Sequence, residues 1–303
     1  MGAVERPGAG FRLTALAAAL AAWALVAVGG VVRITRSGLG CPDWPLCKGN
    51  VVPGTRRDSI IEYSHRSTAA IVTVLVVLTA VWAWRRYRAR RDVLWPALAA
   101  ALLVPFQAVL GAVVVWLELP SWIVGVHFVV GLVFLAATVV TAVGAWRKRA
   151  PDAPPGLVRL VWGCALAGLA LVCAGAAVVS AHADEACGRE WPACNGAFVA
   201  GGIDPAIQVT HRMLAYLVLA VALVLPFAAR RAGSLRRAAW LPLAACLVQV
   251  GLGIALVLTE DGTRAHKLVE GMHVAGSGVV WAAIVALAAL AGPLRRAEPV
   301  NAR

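Results

Sequence analysis

Two short segments, far apart in the chain, carry the same pattern of residues. The first reads Ile61-Glu62-Tyr63-Ser64-His65-Arg66 and the second reads Ile207-Gln208-Val209-Thr210-His211-Arg212. Each segment lies at the start of a long apolar stretch, and two further histidines, His127 and His273, lie near the start of two others. An imidazole inside a membrane span is costly unless it has a partner. The long apolar stretches indicate a membrane fold, and the four histidines at their starts predict a site that uses them.

The composition is that of a polytopic membrane protein. The chain of 303 residues is 61% apolar and only 14% charged, with a mean hydropathy of +0.79. Its apolar stretches have the roughly 20 residues that a helix needs to cross a bilayer. Because they lack the alternating pattern of membrane strands, they argue against a β-barrel and for an all-α fold. We predict eight transmembrane helices, at 12–34, 60–84, 93–116, 121–146, 158–180, 206–229, 238–258 and 268–293.

The net charge of +13 is explained by membrane topology rather than by nucleic-acid binding. Basic clusters fall in alternate loops, whereas most acidic residues lie in the intervening loops, as the positive-inside rule describes. We therefore predict a multi-pass protein of the cell membrane that contacts lipid and no nucleic acid, with both termini cytoplasmic. The basic clusters lie at 85–91, 147–149, 230–237 and 295–296, and the predicted outer loops at 35–59, 117–120, 181–205 and 259–267.

A shift of about 146 residues superposes the chain on itself. The segment 44–49 meets 191–196, and His65 and His127 meet His211 and His273. Each half has an even number of spans, so both halves have the same orientation in the membrane. A proline-rich linker at 151–156 suits a boundary. We predict a parallel repeat of two four-helix bundles, residues 1–150 and 151–303.

The matched depth of the histidines lets His65 face His127 in one bundle, and His211 face His273 in the other. Neutral imidazole is a good ligand for iron, and two helices can hold a haem edge-on between them. One alternative is a set of polar residues that form hydrogen bonds between helices. Another is zinc, whose tetrahedral site would be half filled by two nitrogens. The other two histidines of the chain do not match under the repeat and are assigned to loops.

The repeat breaks three residues before the first histidine of each half. Glu62 shares a helix face with His65, whereas Gln208 stands at the equivalent position before His211. A carboxylate beside a haem can act as a base or stabilise a developing cation, and a glutamine cannot exchange a proton in that way. The alternative is a first-turn glutamate favoured by the helix dipole. We predict that the first half does chemistry while the second holds a permanent haem.

Four cysteines form two repeat-related pairs in the predicted outer loops, Cys41 with Cys47 and Cys187 with Cys194. Because the outer side of the membrane is oxidising, we predict two local disulfides. Two roles are open for each pair. It can simply staple its loop, or it can be redox-active and pass electrons.

Two further pairs of polar residues repeat between the halves. Arg66 and Arg212 directly follow candidate ligands, where they can extend to the membrane interface or pair with the propionates of a haem. Gln107 and Gln249 lie in the third span of each half, and we predict that they form hydrogen bonds between helices.

These features together resemble the haem A synthase family, and the resemblance covers nearly the whole chain. It is carried by the eight spans, the four-plus-four repeat and short motifs. The motifs are Glu62-Tyr63-Ser64-His65-Arg66, His127, His211-Arg212, His273 and Cys41-Pro42-Asp43-Trp44-Pro45-Leu46-Cys47.

The resemblance implies an oxidoreductase that converts the C8 methyl of haem O to a formyl group, giving haem A. It implies that His65 and His127 bind the substrate haem O, and that His211 and His273 bind a cofactor, haem b. Glu62 matches the acidic residue that is thought to be catalytic in the family.

The resemblance also implies a setting for the reaction. Cys41 and Cys47 match the family's outer-loop pair, which is thought to help in electron transfer or haem handover. The location would be a bacterial cell membrane. Partners would include a haem O synthase, quinone and cytochrome oxidase assembly factors.

Two other functions are open on the sequence alone. A dihaem b-type cytochrome that transfers electrons from quinol would share the histidine ligands but would not need Glu62. A transporter built from parallel repeats would place polar groups near the membrane midplane. Here the polar groups lie near the outer ends of the spans, which argues against transport.

Overall fold

A computed structural model describes residues 7–147, 153–194, 196–198, 201–233 and 235–293. Lys148, Arg149, Arg295, Arg296 and the predicted boundary between residues 150 and 151 lie outside the described residues. The helices are α1 (Ala9–Ile34), α2 (Arg57–Arg86), α3 (Arg91–Trp116), α4 (Ser121–Trp146), α5 (Pro155–Ser180), α6 (Ile203–Ala228), α7 (Leu235–Ala238), α8 (Trp240–Leu258) and α9 (Arg264–Ala291).

The prediction of eight spans is confirmed, because the described residues contain eight helices long and apolar enough to cross a membrane. The short α7 leads into α8, and the two form one span, Leu235–Leu258. Seven of the eight spans begin two to four residues before the apolar stretch that predicted them, and only the span at Ser121 begins where predicted. In three of them, polar residues suit the first turn. Asp58 and Asp204 lie in the first turns of α2 and α6, near the positive end of the helix dipole. Thr263 caps α9 by accepting the backbone N–H of His266.

The helices pack in two sets joined by α9. In the first set, α1 and α3 each pack against both α2 and α4. In the second, α5 and α8 each pack against both α6 and α9. Contacts between the sets run from α9 to α1 and α4, and from α4 to α5. Trp281 and Val285 of α9 enter the core of the first set, whereas Val280 and Ile284 enter that of the second.

Small residues let α1 and α9 approach closely, as at other membrane helix interfaces. A Cβ placed on Gly30 would lie 2.8 Å from Cγ1 of Val274, which is closer than side chains pack. The indole N–H of Trp23 donates to the carbonyl of Ala275 at 3.0 Å. The two helices therefore meet through backbone and small side chains.

Helix α4 is tied to α9 by polar groups as well as by packing. The indole N–H of Trp281 donates to the carbonyl of Leu132 at 2.7 Å, where the bond is buried. At the other end of the interface, Arg147 donates to the carbonyl of Ala289 at 3.0 Å and to Asp92 of α3 at 2.8 Å. Part of the basic charge that marks this end therefore also joins helices.

We expect Gly30→Ala to destabilise the protein by roughly 1–3 kcal/mol, because the added methyl group overpacks the contact with Val274. The matched control is Gly163→Ala in α5, where nothing lies within 4 Å of the added Cβ. That variant should be neutral or slightly stabilising, since alanine is the better helix former. Thermal unfolding in detergent tests both, and equal melting temperatures would contradict the close α1–α9 contact.

Candidate functional site

The four histidines lie on α2, α4, α6 and α9, all in the half of the helix nearer its N-terminus. His127 lies six residues beyond the start of its helix, as predicted. His65 and His211 lie eight residues beyond, and His273 nine, because their helices begin earlier than the apolar stretches. The depths are therefore about 9–14 Å along the helix axis.

Each histidine lies against a glycine of the neighbouring helix. A Cβ placed on Gly29 of α1 would lie 3.2 Å from Cε1 of His65, and one on Gly111 of α3 would lie 3.4 Å from Cε1 of His127. The contact repeats in the second half. There Gly175 of α5 faces His211 at 3.1 Å and Gly253 of α8 faces His273 at 3.3 Å. An added Cβ would crowd the imidazole at Gly29, Gly175 and Gly253, and a larger side chain would crowd it at all four glycines.

The ring nitrogens are arranged alike in three of the four histidines. Nδ1 of His65, His127 and His211 is enclosed without a close hydrogen-bond partner, and the backbone carbonyl of Leu171 lies near the His211 ring. These residues are only partly buried, and their Nε2 atoms are not among the enclosed atoms that lack a partner. His65 and His127 are near enough to interact electrostatically, and so are His211 and His273. Each pair can therefore offer two neutral nitrogens to one ligand.

These donor sets fit a haem better than a bare metal ion. Among the described residues, no group of three or more histidine, cysteine or carboxylate side chains could hold a metal ion. A metal held by two imidazoles therefore needs its remaining ligands from elsewhere, and a porphyrin ring supplies them itself. The enclosed Nδ1 atoms and the space left by the glycines fit this assignment, and the zinc alternative has no support.

The prediction that Gln107 and Gln249 form hydrogen bonds between helices is confirmed. The amide of Gln107 donates to the carbonyl of His127 at 3.0 Å, and that of Gln249 to the carbonyl of His273 at 2.9 Å. The Gln249 amide nitrogen also lies 3.2 Å from Nδ1 of His273. The glutamines therefore fix the helix turn that carries a candidate ligand, and only Gln249 also reaches the imidazole.

Glu62 is buried, with a relative exposure of 3%, at the junction of α2 and the first loop. One carboxylate oxygen accepts the backbone N–H of Cys41 at 2.7 Å, and the other accepts from the guanidinium of Arg66. A buried ion pair with an additional backbone donor holds a carboxylate in one place. Each oxygen keeps a lone pair, so the group can still accept a proton.

Arg66 clamps the first loop onto α2. One terminal nitrogen donates to the carbonyls of Asp43 and Leu46, at 2.8 and 2.7 Å. The other donates to the carbonyl of Cys41 at 2.7 Å and to Glu62. Only the Nε–H remains, because each terminal nitrogen has used both of its protons. The structure therefore assigns these donors to the loop rather than to an added ligand.

The second half repeats the clamp only in part. Arg212 donates from one terminal nitrogen to the carbonyls of Glu190 and Ala193, at 2.9 and 2.5 Å. Its other terminal nitrogen is enclosed and has no partner. Gln208, which replaces the carboxylate, instead donates to the carbonyl of Asp184 at 3.1 Å. The change from glutamate to glutamine thus leaves the buried guanidinium half satisfied.

Disulfides close both loops, Cys41–Cys47 with an Sγ–Sγ distance of 1.98 Å and Cys187–Cys194 with 2.01 Å. A carboxylate organises the turn after each pair, accepting the N–H of a glycine in the left-handed conformation. In the first loop Asp43 accepts from Gly49 at 2.6 Å, and in the second Glu190 accepts from Gly196 at 2.7 Å. The Gly49 N–H, followed by that of Lys48, holds the pKa of the Asp43 carboxyl below its usual value.

Sequence reasoning missed three features of the site. The four glycines become meaningful only when the neighbouring helix is known. Glu270 precedes His273 by three residues, as Glu62 precedes His65, and this spacing was a usable signal; its carboxylate pairs with Arg33 of α1 at 2.9 Å. Tyr216 lies one turn beyond Arg212, and its enclosed hydroxyl lies near the indole of Trp191.

The fold and the paired histidines define a multi-pass membrane protein with a similar pair of histidines in each half. The profile of the COX15-CtaA family of cytochrome oxidase assembly proteins matches residues 12–59 and 56–285. The chain therefore belongs to this family, and its resemblance to haem A synthases is confirmed.

The relatives of known name span most of the chain. A heme A synthase of Halalkalibacterium halodurans is 33% identical over 245 residues, covering 77% of this chain and 82% of the relative. That of Symbiobacterium thermophilum is 32% identical over 285 residues, covering 88% and 93%. That of Shouchella clausii is 32% identical over 251 residues, covering 78% and 82%.

We expect Arg66→Gln to loosen the first loop, because it removes the bonds to three loop carbonyls at once. Amide hydrogen exchange in residues 41–47, followed by mass spectrometry in detergent, should accelerate at least about tenfold. Arg212→Gln is the matched control and should accelerate exchange in residues 187–194 instead. Unchanged exchange in both variants would contradict the clamp.

Proposed function

We propose that this protein is a haem A synthase, which oxidises the C8 methyl of haem O to a formyl group by successive hydroxylation. The observation that carries the proposal is Glu62, a buried carboxylate held one helical turn from His65, where the other half has Gln208. Membership of the family and the names of the relatives support the same activity. A dihaem cytochrome is not favoured, because electron transfer alone gives no use to Glu62.

The two histidine pairs take different tetrapyrroles in this proposal. His65 and His127 hold the substrate haem O beside Glu62, and His211 and His273 hold a resident haem b. A bound haem b would supply a one-electron redox centre. The glycine contacts support ligation in both halves, since all four imidazoles are packed against backbone in the same way. In His65, His127 and His211 the enclosed Nδ1 leaves Nε2 as the nitrogen for a ligand.

Glu62 acts on protons in this proposal. Conversion of the methyl carbon to a formyl group takes one oxygen atom from water and releases four protons and four electrons, and the electrons pass to an external oxidant, the proposed quinone. Positive charge develops beside the ring. A fixed carboxylate offsets that charge and accepts a proton, which typically contributes roughly 100-fold or more to the rate. Because Arg66 and Cys41 already hold it, the group needs no rearrangement to act.

The setting of the reaction is also part of the proposal. The protein would lie in a bacterial cell membrane with both termini cytoplasmic, so both disulfide loops and all four histidines lie towards the outer side. Residues 1–150 and 151–303 would form the substrate and cofactor bundles. A haem O synthase, quinone and cytochrome oxidase assembly factors would be its partners.

We expect His211→Ala and His273→Ala each to remove the stable low-spin b-type haem while the helices stay folded. The reason is that a single imidazole holds a haem iron less firmly than a pair. Pyridine haemochrome analysis and circular dichroism of the purified variants measure both quantities. Unchanged haem content in both variants would contradict the assignment of the cofactor site.

We expect Glu62→Gln to lower conversion of haem O to haem A by about 100-fold or more, because an amide cannot take the proton. The loop should survive, since Gln208 occupies the same place in the second half. Haem b content and exchange in residues 41–47 should stay as in the wild type. Gln208→Ala is the control and should change the yield little.

The measurement is HPLC of haems extracted from cells that also express a haem O synthase. A hydroxylated haem is expected to accumulate in the Glu62→Gln protein. A near-normal yield of haem A from that variant would leave Glu62 as a residue that only anchors the loop.

A further inference from the structure

The two halves differ in how far their buried arginines are satisfied. Arg66 uses both terminal nitrogens on loop carbonyls and Glu62. Arg212 is 7% exposed, and one of its terminal nitrogens is enclosed with no partner. An unsatisfied buried charged donor is costly, so this nitrogen needs an acceptor.

A second unpaired donor lies beside it. The hydroxyl of Tyr216 is enclosed. It lies near the indole of Trp191, whose N–H can only donate to it, so the hydroxyl proton still has no acceptor. Tyr216 is also near enough to Arg212 for the two to interact electrostatically. They stand one turn apart on the same face of α6, and helical side chains lean towards the N-terminus, which brings the phenol towards the guanidinium. The equivalent of Tyr216 in the first half is Ala70, which offers no donor.

Arg212 directly follows His211, a candidate haem ligand, so its guanidinium belongs to the same turn of α6 as that imidazole. A forked guanidinium nitrogen and a hydroxyl converge well on a carboxylate, which accepts several hydrogen bonds at once. We infer that Arg212 and Tyr216 form a carboxylate-binding subsite that takes a propionate of the tetrapyrrole held by His211 and His273. This inference rests on the proposed function and deepens it.

Because of the subsite, the second half should bind its tetrapyrrole more tightly than the first. In the second half a propionate adds charge-assisted hydrogen bonds to the pair of histidine ligands, which favours a resident group. In the first half Arg66 is already engaged and Ala70 stands where the second half has Tyr216, so the histidines hold the tetrapyrrole without this anchor. A weaker hold suits a site that must release its product.

The experiment follows the loss of haem b from the purified protein to excess apomyoglobin. Tyr216→Phe removes one donor and leaves the loop clamp of Arg212 intact, and it should speed the loss about tenfold. Tyr63→Phe in α2 is the matched control and should lose haem b at the wild-type rate. Protein made without haem and loaded with either haem b or its dimethyl ester provides the second arm.

The ester cannot present a carboxylate, so it should leave the wild-type protein at least tenfold faster than haem b. Tyr216→Phe should then have little further effect on the ester. Equal loss of acid and ester from the wild type, or wild-type retention by Tyr216→Phe, would overturn the subsite. Tyr216-dependent stabilisation by inorganic phosphate, with haem loss unchanged, would instead assign the pocket to a free anion.

The same data separate this inference from the proposed function. If haem binding depends on His211 but haem leaves all variants at the same rate, the subsite is excluded and the proposed function stands. If the protein binds neither haem b nor its dimethyl ester, the assignment of the cofactor site is wrong and the subsite is excluded too.

Discussion

Each of the four histidines lies against the backbone of a glycine on the adjacent helix, and the site depends on this contact. A side chain at Gly29, Gly111, Gly175 or Gly253 would crowd the imidazole, because its Cβ would lie 3.1–3.4 Å from Cε1 of the ring. The glycine therefore lets the adjacent helix approach the ring closely. Because interiors are closely packed, such a contact limits the positions that the ring can take. The glutamines on α3 and α8 then hold the turns that carry His127 and His273.

On this shared frame the halves diverge through one change, from Glu62 to Gln208. In the first half the carboxylate completes the hydrogen bonding of Arg66 and joins the loop, the helix and the proposed proton acceptor in one network. In the second half the amide turns to a loop carbonyl, and Arg212 keeps an unused donor. This one difference gives the first half an ionisable carboxylate, and it leaves the second half with a guanidinium that is only partly hydrogen-bonded.

Most of the fold could be predicted from the sequence, because hydropathy and charge act locally. The eight spans, the matched histidines and the loop cysteines all follow from residue type and spacing. Helix starts could not be predicted, because a polar first turn such as that at Asp58 looks like loop. The sequence alone allows Arg66 either to extend to the membrane interface or to pair with a propionate. Its actual partners could not be predicted, because only the folded loop brings three carbonyls within its reach. Glu270 was overlooked although its spacing from His273 repeats that of Glu62 from His65.

The adjacent glycines of α1 have a consequence for the whole molecule. Gly29 lies against His65 of the first set, and Gly30 lies against Val274, the neighbour of His273 in the second. Two adjacent residues of α1 therefore touch both sets of helices, one beside a candidate ligand of the first half and one beside the neighbour of a candidate ligand of the second. A shift of α1 against one site would therefore also be a shift against the other, because the two contacts are one residue apart.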